Sequence, residues 1–287
     1  MFEIVEKSEV FNVHKIVVTA PDIARAVRAG QFVIIMGAEY SERIPVTVSD
    51  WDAAAGTIVL YVLEVGISTL ELARMQVGDS LFAVTGPLGV PSEIKNYGTV
   101  VLGGGCYGIG GMYPIAKACK EAGNKVISII EARYKDMFYH EKALMEVSDK
   151  LLYATSDGSK GKKGKVEDVV CEMLEQGQKI DQAFFMGCTQ MLERCSEATR
   201  SKSIPTKVAL NSIMLDGTGM CGACRVSVGG QIKFACVDGP EFDGHEVDWN
   251  ELHSRKAAYA EQETGVYQSY SHECMAEKKF KQELERG

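Results

Sequence analysis

The sequence has 287 residues, enough for roughly two compact domains, and 46% of them are hydrophobic, so it can bury the cores of an ordinary globular protein. A formal net charge of −8 and the lack of a basic stripe argue against a nucleic-acid-binding protein. No apolar stretch reaches the ~18 residues of a membrane span, and nine cysteines without an export signal favour a reducing cytoplasm over a disulfide framework.

Residues 1–96 are predicted to form a small β-barrel or sandwich. Segments 11–19, 31–36 and 56–63 are rich in β-branched residues and are separated by turns that contain Gly or Asp. Several short strands at this spacing are typical of an all-β domain.

Polar groups in this first domain lie at the edge of one predicted strand and at the start of one predicted helix. The segment 43–48 is expected to place a cation and a hydroxyl at a strand edge, and the helix is predicted to run from Thr69 to Met75. The candidate binding residues are Arg43, Pro45, Val46, Thr47, Gly66, Ser68, Thr69 and, near the end of the domain, Gly86.

Residues 97–204 are predicted to form an α/β domain, because short apolar segments alternate with helical ones. Such alternation predicts a parallel sheet with helices on both faces. The predicted strands are 99–103, 125–130, 151–155 and 182–186, and the predicted helices are 111–121, 166–176 and 190–202. The basic run at 160–165 is interrupted by glycines and is predicted to be a solvated loop.

A glycine-rich turn at 103–111 joins the first strand and helix of this domain, which is the context that a dinucleotide-binding site requires. Backbone amides and a helix N-terminus favour a pyrophosphate at such a turn. The candidate residues are Gly104, Gly105, Gly108 and Gly110.

The choice between NAD and NADP rests on two residues that give opposite indications. Glu131 lies 21 residues beyond Gly110, where an acidic side chain suits a ribose hydroxyl, whereas Arg133 would suit a 2′-phosphate. We favour NAD. Asp157, Gly187 and Cys188 follow strand ends, where ligands of α/β sheets gather, although Cys188 is more simply a small buried residue.

Residues 205–248 form a short, Gly-rich segment with three cysteines. Cys221 and Cys224 are separated by two residues, Cys236 follows after eleven more, and Asp216 occupies the position five before Cys221. The spacing is that of a plant-type [2Fe–2S] site, with Asp216 in place of the first Cys. Free thiols in a turn remain an alternative, as does a zinc site completed by His245.

The order of these motifs resembles the ferredoxin–NADP reductase superfamily. The resemblance implies a β-barrel FAD domain, a Rossmann-like α/β NAD domain and a small [2Fe–2S] segment. It also implies that Arg43 and Thr47 contact the flavin ring and that the helix start at 66–69 cradles the FAD pyrophosphate. Many members have a Cys beside the nicotinamide where this sequence has Met186, so no thiol role is expected there.

With the cysteine loop included, residues 1–250 resemble the electron-transfer subunits of class B dihydroorotate dehydrogenase. They resemble even more the small-subunit family of NADH-dependent reduced ferredoxin:NADP oxidoreductases, which bifurcate electrons and have an Asp in place of one cluster Cys. This resemblance implies hydride exchange between NAD(H) and FAD, and single-electron transfer through the cluster. It also implies a two-subunit enzyme, whose large subunit carries FAD and [4Fe–4S] clusters and serves ferredoxin.

Three alternatives remain open at this point. The chain could serve dihydroorotate or another oxidised substrate, it could be a non-catalytic zinc or thiol redox sensor, or it could be a reductase that needs no partner. The polar tail at 249–287 is expected either to contact the large subunit or to form a solvated helix.

Overall fold

The computed structural model describes residues 2–266, and the remainder of the predicted tail, 267–287, lies outside the described residues. The first unit is an antiparallel sheet of seven strands that curls into a nearly closed barrel in the order β6-β1-β2-β5-β4-β3-β7. Its strands are β1 (Phe2–Val10), β2 (Val13–Thr19), β3 (Phe32–Met36), β4 (Ile44–Asp52), β5 (Thr57–Leu63), β6 (Ser80–Leu81) and β7 (Ala83–Leu88).

Alternation of apolar residues explains the barrel core. Along β5 every second residue is buried, and Ile58, Leu60 and Val62 pack against inward-facing residues of β2 and β3 such as Ile16 and Ile35. Two short helices, α1 (Pro21–Ala26) and α2 (Ile67–Arg74), lie in connections of the barrel.

The first strand of the barrel was not predicted, and the predicted strand 11–19 is shorter than expected. β1 and β2 form a hairpin in which Val10 pairs with Val13. The turn between them is made by Phe11, whose φ is 55°, and Asn12. Residues 11 and 12 therefore reverse the chain instead of extending a strand.

The second unit is a seven-stranded sheet in the order β11-β10-β9-β8-β12-β13-β16, parallel except for β16. Its strands are β8 (Thr99–Gly105), β9 (Lys125–Ala132), β10 (Lys150–Thr155), β11 (Lys162–Lys163), β12 (Gln182–Met186), β13 (Thr206–Ala209) and β16 (Glu241–Asp243). Its helices are α3 (Gly108–Glu121), α4 (Glu141–Val147), α5 (Val166–Glu175) and α6 (Thr189–Arg200). α3 and α4 pack in one apolar core, and α5 and α6 pack in another, so both faces of the sheet are covered as predicted.

The cysteine-bearing segment is an excursion from this sheet. β13 leads into it and β16 returns from it, so the predicted boundary between residues 204 and 205 divides a continuous sheet. Inside the excursion lies a hairpin of β14 (Arg225–Val228) and β15 (Gln231–Phe234). After it comes α7 (Trp249–Ala257), whose N-terminus is capped by the Asp248 carboxylate.

The basic run at 160–165 differs from the predicted solvated loop. Lys162 and Lys163 form β11, a short edge strand parallel to β10. Their neighbours are paired, since Lys160 contacts the Glu141 carboxylate and Lys165 contacts Glu131. No helix within residues 2–266 is long and apolar enough to cross a membrane.

Candidate functional site

A cavity of about 230 Å³ lies where the barrel, the carboxyl edge of the parallel sheet and the cysteine-bearing excursion meet. Open α/β sheets bind their ligands at the carboxyl ends of the parallel strands, so the position of this cavity is that expected of a ligand site. The barrel contributes Thr47 and Tyr61, the sheet edge contributes Tyr107 and Met186, and the excursion contributes Asn211 and Pro240.

The residues predicted to bind flavin are divided between the cavity wall and its surroundings. Pro45, Val46, Thr47 and Thr69 line the cavity. Arg43 is exposed at the start of β4, two residues from Pro45. Gly86 lies in β7, where an added Cβ would come within 2.7 Å of Val33, so close packing inside the barrel accounts for this glycine.

The start of α2 is ordered by its own residues. The Thr69 hydroxyl accepts hydrogen bonds from the backbone N–H groups of Val65 and Gly66, each at 3.0 Å. The Ser68 hydroxyl donates to the Glu42 carboxylate at 2.9 Å. A Cβ at Gly66 would meet no atom within 4 Å, so the backbone there faces open space and can be approached closely by a ligand such as a pyrophosphate.

The glycine-rich turn between β8 and α3 is required first by packing. A Cβ at Gly108 would lie 1.9 Å from the Met186 carbonyl oxygen, and one at Gly110 would lie 2.4 Å from the Tyr61 ring. Gly104 and Gly105 would likewise meet sulfur atoms, those of Met112 and Met191, at 2.5 and 2.9 Å. Close approach of α3 to β12 and to the barrel therefore explains these glycines, in addition to any approach of a dinucleotide.

Some of the amides of this turn are already engaged. The Gly110 N–H donates to the Tyr139 hydroxyl at 3.1 Å, and that hydroxyl donates to the Cys106 carbonyl at 2.8 Å. Cys106 itself has φ = 52°, which makes the turn between β8 and α3 tight. Burial raises the pKa of the Tyr139 hydroxyl, so it stays protonated in this role.

Glu131, the predicted ribose ligand, has protein partners for both carboxylate oxygens. One oxygen accepts from the Lys165 ammonium at 2.8 Å, and the other accepts from the Val166 N–H at 3.0 Å, at the first residue of α5. The Glu131 side chain is only 13% exposed. This geometry makes it a structural link between β9 and α5, and its role toward a ribose stays a prediction.

The other predicted dinucleotide residues lie on the surface near the ends of the strands. Arg133 is exposed. Asp157 is exposed and accepts from the N–H and the hydroxyl of Ser159, and these hydrogen bonds hold its pKa below the usual range. The expectation that Cys188 is buried was wrong, because it is exposed at the N-cap of α6, directly after Gly187. A small residue is accommodated there whether or not it is buried.

The cavity also contains residues that the sequence analysis missed. Tyr107 is half-buried, and its hydroxyl donates to the Gly187 carbonyl at 2.8 Å and accepts from the Asn211 amide at 2.6 Å. Asn211 follows β13, a four-residue strand after Pro205 that was not predicted. Had that strand been predicted, the carboxyl-end rule would have pointed to Asn211.

Three of the four predicted cluster ligands, Asp216, Cys221 and Cys224, lie in one loop before β14, and Cys236 lies in the turn after β15. The Asp216 carboxylate accepts from the backbone N–H groups of Thr218 at 2.9 Å and Cys221 at 2.8 Å, and these bonds lower its pKa, with Thr218 the larger cause. The Cys224 and Cys236 sulfur atoms are buried 3.2 Å apart. Cys221 is exposed in the same loop.

The backbone of this loop is held in a left-handed conformation by glycines. Gly217, Gly219 and Gly222 have φ values of 75°, 83° and 67°. A Cβ at Gly217 would lie 2.6 Å from Leu88 of the barrel, so the loop can pack there only with glycine. Successive left-handed glycines allow a backbone to curve around a bound group, as a cluster site requires.

Without a metal ion, the buried Cys236 thiol stays protonated. Burial and the neighbouring Cys224 sulfur raise the pKa of the Cys236 thiol to about 12, because two buried thiolates so close would repel each other. A cationic iron centre removes that penalty and binds the thiolates directly. That Asp216, Cys221, Cys224 and Cys236 together bind a [2Fe–2S] cluster stays a prediction.

The same loop does not supply a zinc site with His245. The His245 ring contacts the Thr199 hydroxyl at 3.0 Å, on α6. Among residues 2–266, no three His, Cys, Asp or Glu side chains are grouped closely enough to hold a metal ion.

Comparisons with known proteins find similarity to dihydroorotate dehydrogenase B in both a family model and individual relatives. A family described as the iron-sulfur cluster binding domain of dihydroorotate dehydrogenase B matches residues 211–248. A Thermotoga maritima homologue of the dihydroorotate dehydrogenase B electron transfer subunit is 48% identical over 93% of this chain and 95% of its own. The electron transfer subunit of Geobacillus thermodenitrificans is 31% identical over 78% of this chain and 88% of its own.

Solved structures give the same picture. A chain from a structure of NADH-dependent reduced ferredoxin-NADP oxidoreductase, described in terms of flavin-based electron bifurcation, matches with a TM-score of 0.89 and 46% identity. The match covers 94% of this chain and 98% of that one. A ferredoxin NADP+ reductase from Neisseria gonorrhoeae shares the fold, with a TM-score of 0.57 at 15% identity over 70% of this chain and 90% of its own.

Proposed function

The chain belongs to the family of dihydroorotate dehydrogenase B electron transfer subunits and their homologues, and from this premise we propose that it exchanges hydride with NAD(H) through FAD and passes single electrons to a partner subunit through a [2Fe–2S] cluster. It is an oxidoreductase subunit of the ferredoxin–NADP reductase type. FAD supplies the chemistry that links the two-electron step to the one-electron steps, and the cluster carries one electron at a time.

The cavity between the barrel and the sheet edge is the observation that carries the proposal. It combines an apolar wall from β4 and β5 with the polar side chains of Tyr107 and Asn211, which follow the ends of two parallel strands, a combination typical of cofactor sites. Pro45, Val46 and Thr47 would lie along the flavin ring, and the open backbone at Gly66 would receive the FAD pyrophosphate. Arg43 would supply positive charge near the ring.

On the sheet side the residues of the chain would orient NAD(H). The first turn of α3 and the start of α6 both face the carboxyl edge of the sheet, where a pyrophosphate is favoured. The candidate contacts there are Gly104, Gly105, Gly108, Gly110, Glu131, Arg133, Asp157, Gly187 and Cys188. Met186 lines the cavity where other superfamily members have a Cys, so this chain would contact the nicotinamide with a thioether.

We further propose that the partner is a larger flavoprotein subunit with its own FAD and [4Fe–4S] clusters, which serves ferredoxin. Asp216 supports this version over the dihydroorotate version, since dihydroorotate subunits normally bind their cluster with four cysteines. Three exposed apolar side chains, Leu215, Met220 and Val237, surround the cluster loop and give it a surface suited to a protein partner.

The experiment is to purify the chain without oxygen and to record its optical and EPR spectra before and after NADH is added. We expect bound flavin that bleaches with NADH and a [2Fe–2S] signal that appears on reduction. Cys224→Ala should remove most of the iron, whereas Cys171→Ala, at an exposed site on α5, should not. A reconstituted chain with neither flavin nor iron would refute the proposal, and zinc alone would support a thiol or zinc sensor.

A second candidate function, electron transfer to a dihydroorotate-oxidising subunit, is favoured by the family match at 211–248 and by the Thermotoga relative. The substitution Asp216→Cys distinguishes a subunit of a bifurcating enzyme from a subunit of a dihydroorotate dehydrogenase. In a bifurcating subunit this replacement should lower the cluster potential and slow electron transfer, because a harder carboxylate ligand is replaced by a thiolate. An Asp216→Cys chain with an unchanged cluster and unchanged rates would remove the argument for bifurcation.

A further inference from the structure

A chain of hydrogen bonds runs from α7 to the wall of the large cavity. The Lys256 ammonium donates to the Thr189 hydroxyl at 2.9 Å, and this hydroxyl donates to the Asn211 carbonyl oxygen at 2.8 Å. The Asn211 amide donates to the Tyr107 hydroxyl at 2.6 Å, and Tyr107 donates to the Gly187 carbonyl at 2.8 Å. Tyr107, Thr189 and Asn211 follow β8, β12 and β13, so the chain crosses the carboxyl ends of three neighbouring strands.

Lys256 and the Gly187 carbonyl oxygen, at the two ends of this chain, impose the same direction on its hydrogen bonds. An ammonium can only donate, so the Thr189 hydroxyl must accept from it and must direct its own hydrogen to Asn211. Asn211 therefore presents its carbonyl oxygen to Thr189 and its NH₂ group to Tyr107. The Gly187 carbonyl, which can only accept, fixes the other end in the same sense.

The direction of these hydrogen bonds determines which group of Asn211 faces the cavity. Asn211 lines the cavity, and its NH₂ group carries two hydrogens, of which one is used by Tyr107. The Asn211 nitrogen makes no other hydrogen bond within residues 2–266, so its second N–H is free for a bound molecule. If the amide were turned over, a carbonyl oxygen would take that place and would repel an acceptor.

Lys256 is well suited to this task by its surroundings. It is half-buried, it forms no ion pair within the described part of the chain, and burial lowers its pKa. Thr189 is 4% exposed, so the contact between them is largely shielded from water. The neighbouring Arg255 donates to the Ala223 carbonyl of the cluster loop at 3.0 Å, which holds α7 in place.

We propose that Lys256 is a positioning residue that fixes the orientation of the Asn211 amide, so that Asn211 donates a hydrogen bond to a carbonyl oxygen of a ring system bound in the cavity. This inference rests on the proposed function, because the ring would be the flavin or the nicotinamide amide. Both present carbonyl oxygens, and the test below distinguishes them.

The test uses the full chain loaded with FAD and cluster. The flavin midpoint potential is measured without nucleotide, and the Kd for NAD⁺ is measured from its effect on the flavin spectrum. Lys256→Gln can accept as well as donate, so it removes one of the two constraints on the amide and should let the amide turn over in part of the molecules, whereas Lys256→Arg remains a pure donor and should behave as the parent chain. The matched control is Lys202→Met, at an exposed residue beyond α6.

If the flavin is the acceptor, Lys256→Gln and Asn211→Ala should change the relative binding of oxidised and reduced flavin about three- to tenfold, or up to about 30 mV in potential. If the nicotinamide is the acceptor, the same two variants should weaken NAD⁺ binding about three- to tenfold with an unchanged potential. In either case the double variant Lys256→Gln/Asn211→Ala should show the same flavin potential and the same Kd for NAD⁺ as Asn211→Ala alone, because Lys256 acts through Asn211.

Three results would overturn the inference. The first is that Lys256→Gln and Lys256→Arg give the same potential and the same Kd, and the second is that the fold-changes of the two single variants multiply in the double variant. The third is that Asn211→Ala changes neither the flavin potential nor the Kd for NAD⁺. A parent chain without flavin would instead overturn the proposed function, so the two failures are distinguishable.

Discussion

Replacing Glu131 by Gln tests whether this carboxylate stabilises the fold or determines the preference for NADH over NADPH. The substitution keeps the volume but removes the charge that faces Lys165 and the N-terminus of α5. The half-exposed ion pair contributes at most about 1 kcal/mol, and the charged bond to the first turn of α5 contributes about 1 kcal/mol. We therefore expect a loss of about 1–2 kcal/mol in the free energy of unfolding.

The assay is thermal unfolding followed by circular dichroism, together with the ratio of kcat/KM for NADH and NADPH. At about 2–4 °C per kcal/mol the midpoint should fall by roughly 2–8 °C, while the NADH to NADPH ratio stays within about twofold. Glu175→Gln, at an exposed residue at the end of α5, is the control and should change neither quantity. An unchanged midpoint with at least a tenfold loss of NADH preference would refute the structural role and restore Glu131 as the ribose ligand.

Three further predictions concern packing and buried polar groups. Tyr61→Phe removes the hydrogen bond of 2.7 Å between the Tyr61 hydroxyl and His140 Nδ1. The other ring nitrogen of His140 is already buried without a partner, so the whole ring would then lack hydrogen bonds. Urea unfolding should show that the free energy of unfolding falls by about 1–3 kcal/mol. Gly108→Ala should leave little folded protein by circular dichroism, because its Cβ would lie 1.9 Å from the Met186 carbonyl. Burial raises the pKa of Glu241 from 4.5 to about 7, so protonation favours the folded state, and stability should fall by up to about 3 kcal/mol as the pH rises from 4.5 past 7. Glu241→Gln should remove this dependence in pH-resolved urea unfolding.

The arrangement of units was predictable because the hydrophobic pattern changes period along the chain. Alternation at 57–63 indicated a half-buried strand, and the mainly apolar segments at 99–103 and 182–186 indicated a buried parallel sheet. β1 was missed because a bulge between Ile4 and Glu6 interrupts its alternation of buried and exposed residues. β13 was missed because four residues after a proline carry little periodicity and are fixed by pairing with β12.

The candidate site could be predicted only where one short segment carries it. Thr47 and Thr69 line the cavity, and each was identified from a local motif. The partner of Glu131 could not be predicted, because Lys165 lies 34 residues away and meets it only when β9 and α5 pack together. Tyr107 and Asn211, 104 residues apart, likewise become neighbours only in the folded sheet.

The wall of the cavity has a consequence for the order of events during synthesis. Its residues range from Phe32 in the barrel to Pro240 beyond the cysteine loop, so no N-terminal part of the chain contains the whole site. Domains generally fold in the order in which they leave the ribosome, and the barrel can therefore form first with one side of the site still open. The wall is completed only when β13 and β16 pair, which brings Ala209, Asn211 and Pro240 to the cavity. Maturation of the cysteine loop and enclosure of the flavin are thus tied to the same late segment of the chain.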